Sequence, residues 1–370
     1  MTPWFIPAPI ANQPWRVILP LFALVLLGSA VLYSAAGGSM SPYAGSHLVR
    51  FGVFFTMAVV ISRLPSSLFK WGAYPAYGGT FLLLLLVELI GAINGGSQRW
   101  LNLGFMNLQP SELMKPVIIL VLAQFYDNLP PAMTNSWRGL LPALGLIGLP
   151  VALVLLQPDL GTSLAIIFGG GVVMFMAGLP LRWFIGAGLA GVIAAPLAFF
   201  TFLHDYQRNR VLTFLDPESD PLGTGYHITQ SKIAIGSGGI FGKGFGNGSQ
   251  SHLEYLPEAH TDFAFATMAE EWGMMGGLFV LFVFALILRW GMQVARKGPD
   301  RFSRLLAVGM TAVIFFYVAV NLMMVMGLAP VVGIPLPFMS HGGSSMLTVM
   351  LCFGSLMAVD RWSRRPTTLT

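Results

Sequence analysis

The chain has 370 residues, of which 55% are hydrophobic and only 9% charged, with a formal net charge of +5. A soluble domain carries roughly 25% charged residues, so this composition cannot clothe a solvated globule, and the surrounding solvent must be largely lipid. Nucleic acid is excluded as a partner as well: no basic run is interleaved with aromatics, and the cations fall between hydrophobic segments, where they report topology.

Ten apolar runs follow in chain order, at 17–36, 48–63, 72–93, 112–127, 139–156, 161–179, 182–203, 272–295, 302–326 and 343–360. Crossing a bilayer takes ~20 mostly apolar residues per helix, so each run is a candidate span; the second and fourth are short and carry polar residues. The first ends in Ser34-Ala35-Ala36, as a cleaved leader would, but its length and its single preceding cation, Arg16, favour an uncleaved anchor. Cys352 lies in the last apolar run and reads as a small buried hydrophobe; alone, it excludes a disulfide framework and a cysteine-built metal site.

With the N-terminus in the cytoplasm, thirteen of the twenty lysines and arginines fall on the inner side, in every inner segment from Arg16 to Arg365. Both termini are then inside. The expected fold class is an all-α polytopic inner-membrane protein of about ten transmembrane helices, one membrane domain over 1–370. One long non-apolar stretch, 204–262 between the seventh and eighth spans, forms a large periplasmic loop. Its mixture of aromatics, charges and glycines predicts a loop ordered against the membrane domain. Seven cations, Arg50, Arg99, Lys115, Arg208, Arg210, Lys232 and Lys243, lie on the outer side with all six histidines, and topology does not account for them.

The outer segments hold four constellations. In Gln109-Pro110-Ser111-Glu112, Glu112 and Lys115 are spaced i, i+3 and share a helix face; they are either a satisfied ion pair or a functional one, since charge at membrane depth is expensive. Glu88, inside the third span, has no obvious local partner. Gln157-Pro158-Asp159-Leu160-Gly161-Thr162 reads as a turn with Asp159 as a helix cap or as a polar contact to substrate. In the long loop, glycines flank Lys232 and Lys243, so backbone amides could approach a phosphate, although the frame is not that of a P-loop. Finally, Asp262 stands where the loop re-enters the membrane. It is either a helix N-cap or a general base whose pKa partial desolvation raises.

These segments, with Pro335-Leu336-Pro337 to Ser340-His341-Gly342-Gly343-Ser344, closely resemble the SEDS family (shape, elongation, division and sporulation) over almost the whole chain. The Tyr206-Gln207-Arg208 and Asp216-Pro217-Glu218 segments look more like its elongation branch than its division branch. His341 is a departure, because the family usually has tyrosine there. The resemblance implies a peptidoglycan glycosyltransferase that polymerises lipid II and releases undecaprenyl pyrophosphate, with Asp262 as the base. It implies substrate or pyrophosphate contacts from Arg50, Arg99, Glu112, Lys115, Asp159, Arg208, Arg210, Lys232, Lys243, Ser340 and His341. It also implies a class B penicillin-binding protein and the elongation machinery as partners, and no organic cofactor; a divalent cation, Mg2+ or Mn2+, could share the pyrophosphate charge. The rival readings are a lipid II flippase, which should need a polar path on the inner side that is not evident, and a non-catalytic scaffold, which would need no carboxylate at 262.

Overall fold

The structure is a computed structural model that describes residues 13–94, 97–102, 107–201, 208, 212–214, 216, 224–252, 255–256 and 258–364. All ten apolar runs are helices: α1 (Trp15–Ala35), α2 (Ala44–Ile61), α3 (Ser66–Ile90), α4 (Pro110–Asn128), α5 (Trp137–Leu156), α6 (Leu160–Ala177) and α7 (Leu181–Thr201) precede the long loop. Within the loop lie α8 (Thr224–Ser237) and the single turn α9 (Ser249–His252); α10 (Ala264–Lys297), α11 (Arg301–Val325) and α12 (Gly343–Ser363) complete the set. Eight of the ten are long and apolar enough to cross a membrane. Of the other two, α4 carries Glu112, Lys115 and Asp127, and α7 is apolar over Leu181–Ala194. Large apolar side chains face outward along the helices, with Leu89, Ile193 and Trp71 three-quarters exposed or more. Water would not tolerate so continuous an apolar surface.

The helices pack closely because small residues face their neighbours. At Gly309 on α11 a Cβ would lie 2.3 Å from the Ile119 side chain of α4, and at Gly170 on α6 one would lie 2.6 Å from Ile147 of α5. Without a hydrophobic force between helices in lipid, such close approach is what holds them together. Of the Gly169-Gly170-Gly171 run, Gly169 and Gly170 are enclosed in this way, whereas Gly171 has only Phe184 nearby, at 3.8 Å. At the far ends of the helices, Lys70 bridges Asp127 and Asp300, each at 2.8 Å, and Arg301 donates to the carbonyls of Leu129 and Ala177. These cations fasten helix ends as well as marking a side.

The sequence offered no strands, yet three short ones link α3 to α4: β1 (Ala92–Asn94), β2 (Ser97–Asn102) and β3 (Asn107–Leu108), antiparallel in the order β1-β2-β3. A second difference concerns α10, expected to begin near 272. It begins at Ala264 and breaks at Gly273, whose φ of 64° and ψ of −161° lie outside the helical region. Only glycine takes that conformation readily. The break exposes backbone groups that the glycine-rich segment after α8 satisfies: Met274 N donates to Gly239 O, and Lys243 N donates to Glu270 O. Any Cβ at Gly238 or Gly242 would fall 2.1 Å from a carbonyl of α10. The close approach that these glycines permit is therefore made to α10.

Candidate active site

Three segments converge beside Asp262: the turn 258–263 ahead of α10, the stretch 328–342 ahead of α12, and the start of α2. Asn321 on α11, fully buried, donates to the carbonyls of Asp262 at 2.9 Å and Ile334 at 2.8 Å. One amide group thus ties the turn to the facing stretch. Gly333, at φ 70°, lies against the Asp262 carboxylate, with the site of a Cβ 3.6 Å from Oδ2. Asp262 is half-buried and precedes Phe263, the N-cap residue of α10, which has no side-chain cap. Asp262 is therefore not the N-cap.

Next to it, His341 N donates to the His260 carbonyl at 2.8 Å. The Tyr43 ring stacks on His260 at 4.0 Å and meets His341 edge-on at 5.3 Å. Arg50 Nη1 lies 3.1 Å from His341 Nε2. A guanidinium is always protonated and only donates, so Nε2 accepts and the imidazole is neutral. Burial, and then the charges of Arg50 and His260, lower the His341 pKa to about 4. Burial also lowers that of His260, against the pull of Glu258. Two non-glycine residues in these segments, Glu258 and Phe338, have φ of 56° and 65°. Such conformations cost of order 1–3 kcal/mol and persist where surrounding contacts impose them. At Phe338 the contacts are visible, because His47 Nε2 is 3.1 Å from its carbonyl and Gly28 of α1 lies against Met339.

Below this cluster is a buried ionic triad. Lys115 Nζ donates to Glu112 Oε1 at 2.6 Å and to the Tyr317 hydroxyl at 2.8 Å, and Tyr317 donates to Glu112 Oε2. Thr348 of α12 donates to the Glu112 carbonyl at 3.1 Å. Glu112 and Lys115 are thus a satisfied pair, and the Lys115 side chain is 1% exposed, so in this structure it supports the site from behind. Asp159 takes the cap role and adds a side-chain partner of its own. Oδ1 caps α6 by accepting from Thr162 N at 3.1 Å, and Oδ2 accepts from Gln109 Nε2 at 2.8 Å.

The other expected contacts are dispersed. Arg99 donates to the Gln157 carbonyl at 2.8 Å and to that of Pro158, holding the turn before α6. Arg208 donates to the Phe199 and Phe200 carbonyls at the end of α7, both at 2.8 Å. Lys232 lies over Gly327. Lys243 pairs at 2.7 Å with Glu270, a carboxylate with no exposed surface. Ser340 Oγ accepts from Leu336 N at 2.9 Å and shapes the stretch before α12. Arg210 lies outside the described residues, and Glu88 is exposed near the end of α3. The cluster instead gains Tyr43, His260 and Asn321. His260 lies two residues before Asp262 in the sequence, and no spacing rule linked Tyr43 or Asn321 to it.

The model of the cell cycle protein family of FtsW, RodA and SpoVE matches residues 13–365. The chain belongs to this family. It is a multi-pass membrane protein, as the eight long apolar helices require. Among its relatives is the peptidoglycan glycosyltransferase MrdB, a RodA, of Escherichia coli K12, 44% identical over 93% of this chain and 92% of that protein. Stage V sporulation protein E of Bacillus subtilis is 38% identical over 76% of each chain. Among solved structures, one chain of a peptidoglycan synthase complex, described for its coordination of polymerization and crosslinking, superposes with a TM-score of 0.82 at 34% identity, covering 96% of this chain and 99% of that one. Thermus thermophilus RodA superposes with a TM-score of 0.72 at 31% identity, with the same coverage.

Proposed function

We infer that the chain is a peptidoglycan glycosyltransferase that polymerises lipid II into β-1,4-linked glycan strands during cell elongation. The observation that carries this is the position of Asp262. Its carboxylate lies by Gly333, whose neighbours Val332 and Ile334 line an apolar groove, and two residues ahead of it His260 joins the cluster that holds Arg50. That groove, about 390 Å3 in volume, runs between α6 and α11 and includes Leu164, Phe168, Phe316, Val332 and Ile334. A half-buried base with a cation on one side and a lipid-compatible groove on the other suits a substrate that is part sugar, part pyrophosphate and part polyprenol.

In this reading, Asp262 takes the proton from the 4-hydroxyl of the acceptor N-acetylglucosamine. That oxygen attacks the anomeric carbon of the donor N-acetylmuramic acid as its bond to pyrophosphate breaks, and the configuration inverts. Undecaprenyl pyrophosphate leaves with the electron pair, and the proton stays on Asp262 until solvent takes it. Charge growing on the leaving oxygens is stabilised by a preorganised cation, for which Arg50 is placed best; a guanidinium can also grip phosphate with two parallel bonds. A neutral His341 leaves the Arg50 charge undiminished. Arg99, Arg208, Glu112, Lys115 and Asp159 act by holding the turns and helix ends around the cavity. Mg2+ or Mn2+ would accompany the pyrophosphate, which supplies most of the oxygens such an ion takes. Among the described residues no three His, Cys, Asp or Glu side chains are grouped to hold one.

In this reading the site faces the periplasm and both termini lie in the cytoplasm, which the gathering of Arg16, Lys297, Arg301 and Arg364 at the helix ends opposite Asp262 supports. A class B penicillin-binding protein would supply the crosslinking activity, and the peptidoglycan synthase complex among the solved relatives supports such a partner. Purified Asp262→Asn protein, with that partner present, should polymerise lipid II at least about a hundredfold more slowly than the parent, the lower end of what a positioned base contributes. Normal glycan synthesis by folded mutant protein would overturn the assignment.

A further inference from the structure

We propose that a second site, at the helix ends opposite Asp262, binds the phosphodiester headgroup of an anionic phospholipid. A cavity of about 640 Å3 opens between the start of α1 and the last turns of α10 and α12, lined by Gln13, Trp15, Arg16, Trp290, Lys297 and Arg364. Its size falls within the ~300–1,000 Å3 of ligand-binding clefts. The groove beside Asp262 is walled almost wholly by apolar side chains; this cavity presents three cations and one carboxylate, Asp360.

The charge is not internally balanced. Arg364 pairs with Asp360, which accounts for the carboxylate. Arg16 and Lys297 have no ion pair or side-chain hydrogen bond among the described residues, and both are exposed to the cavity mouth. Two uncompensated cations at the rim of a cleft between membrane helices define an anion site, and a phosphodiester carries the single negative charge and the acceptor oxygens that they can share.

A second observation favours a lipid over a free anion. From the cavity an exposed apolar stripe runs along α1: Trp15 is 39% exposed, Leu19 62%, Phe22 37% and Leu26 63%. Their spacing of four, three and four residues keeps them on one face of the helix. A headgroup seated on Arg16 and Lys297 would lay its acyl chains along that stripe. Trp15 and Trp290 both line the cavity, and tryptophan is the residue that favours the headgroup layer at a helix end. A free phosphate would use the cations alone and make no contact with the stripe.

The test is native mass spectrometry of the full chain, released from vesicles that contain equal amounts of phosphatidylglycerol and phosphatidylcholine. The parent protein should retain phosphatidylglycerol preferentially, and Arg16→Gln/Lys297→Gln should reduce that preference by about tenfold to thirtyfold, the scale set by two cations near an anionic lipid. Arg289→Gln/Arg296→Gln removes the same charge from α10 away from the cavity, and it should keep the preference. Equal loss in both double variants would reduce the effect to diffuse surface charge and overturn the site, as would full retention in Arg16→Gln/Lys297→Gln. Inorganic phosphate without lipid supplies the last arm. If it stabilises the parent against heat as much as phosphatidylglycerol does, and the double variant abolishes both effects, the site takes free anions and the lipid assignment falls. All four substituted side chains are exposed, so the variants should melt as the parent does.

Discussion

Arg50 on α2 donates to the imidazole of His341 at 3.1 Å, joining two segments 291 residues apart in the chain. The bond requires a neutral ring, and burial together with the Arg50 charge keeps His341 neutral down to about pH 4. In the unfolded chain the same ring ionises near 6.5. Because the folded value is the lower one, the stability from this linkage is complete above about pH 6.5 and is lost as pH falls toward 4. His260, in the same cluster, is lowered in the same direction. The thermal midpoint of the detergent-solubilised protein should therefore drop between pH 7 and pH 5. His341→Tyr should flatten part of that drop, since a phenol does not titrate in the window; an unchanged pH slope would show that other groups carry it.

The Glu112–Lys115–Tyr317 triad allows a test of buried charge. Lys115→Met leaves the Glu112 carboxylate without its cation and should cost about 3–5 kcal/mol of stability. Glu112→Leu/Lys115→Met removes both charges and should recover most of that loss, because a buried pair of this kind contributes little net stability over apolar residues of similar size. Tyr317→Phe keeps the ion pair and loses one hydroxyl donor to a carboxylate, about 1–3 kcal/mol. Denaturation of the three variants in one detergent should find Lys115→Met the least stable. A double variant less stable than Lys115→Met would contradict the reading.

At Gly273 two independent constraints coincide. Its φ is 64°, and a Cβ there would lie 2.3 Å from Gly242 N and 2.6 Å from Ile240 O. Gly273→Ala should undock the 238–244 segment and leave the Lys243–Glu270 contact unsupported. Limited proteolysis should then cut that segment faster, and the midpoint of unfolding should fall. Gly171→Ala is the contrasting case: the helix is regular there and the nearest atom is 3.8 Å away, so the substitution should be neutral or stabilise by up to about 1 kcal/mol. Equal damage from both would argue against docking as the cause.

The ten helices were legible because lipid imposes a single rule, apolar length, that each segment obeys by itself. The cap at Asp159 and the pair at Glu112 and Lys115 were legible for a similar reason, since both depend on residues three apart. The active-site cluster was only partly legible. Asp262 announced itself as a charge at a boundary, but Tyr43, Arg50, His260, Asn321 and His341 meet through tertiary packing that no local period encodes. The glycines near Lys243 misled for an instructive reason. Close backbone approach is equally useful to a phosphate and to another helix, and the sequence does not say which one arrives. The break at Gly273 had the same character, because a glycine inside an apolar run costs a helix little and rarely ends it.

Asn321 is the residue whose role packing alone revealed, and it gives the sharpest test of how Asp262 is held. Its amide donates to the backbone carbonyls of Asp262 and Ile334, so it fixes the turn that carries the base without being placed to touch substrate. Asn321→Leu removes both donors from a fully buried site. A small displacement of the turn moves the carboxylate from the acceptor hydroxyl, and misplacement of about 1 Å can cost about a hundredfold in rate. The turnover number for lipid II should therefore fall by about tenfold to a hundredfold while KM changes little. Restoring a donor with Asn321→Gln or Asn321→His should recover part of the rate. A variant that loses substrate affinity instead, with kcat intact, would place Asn321 in binding and remove it from the positioning of Asp262.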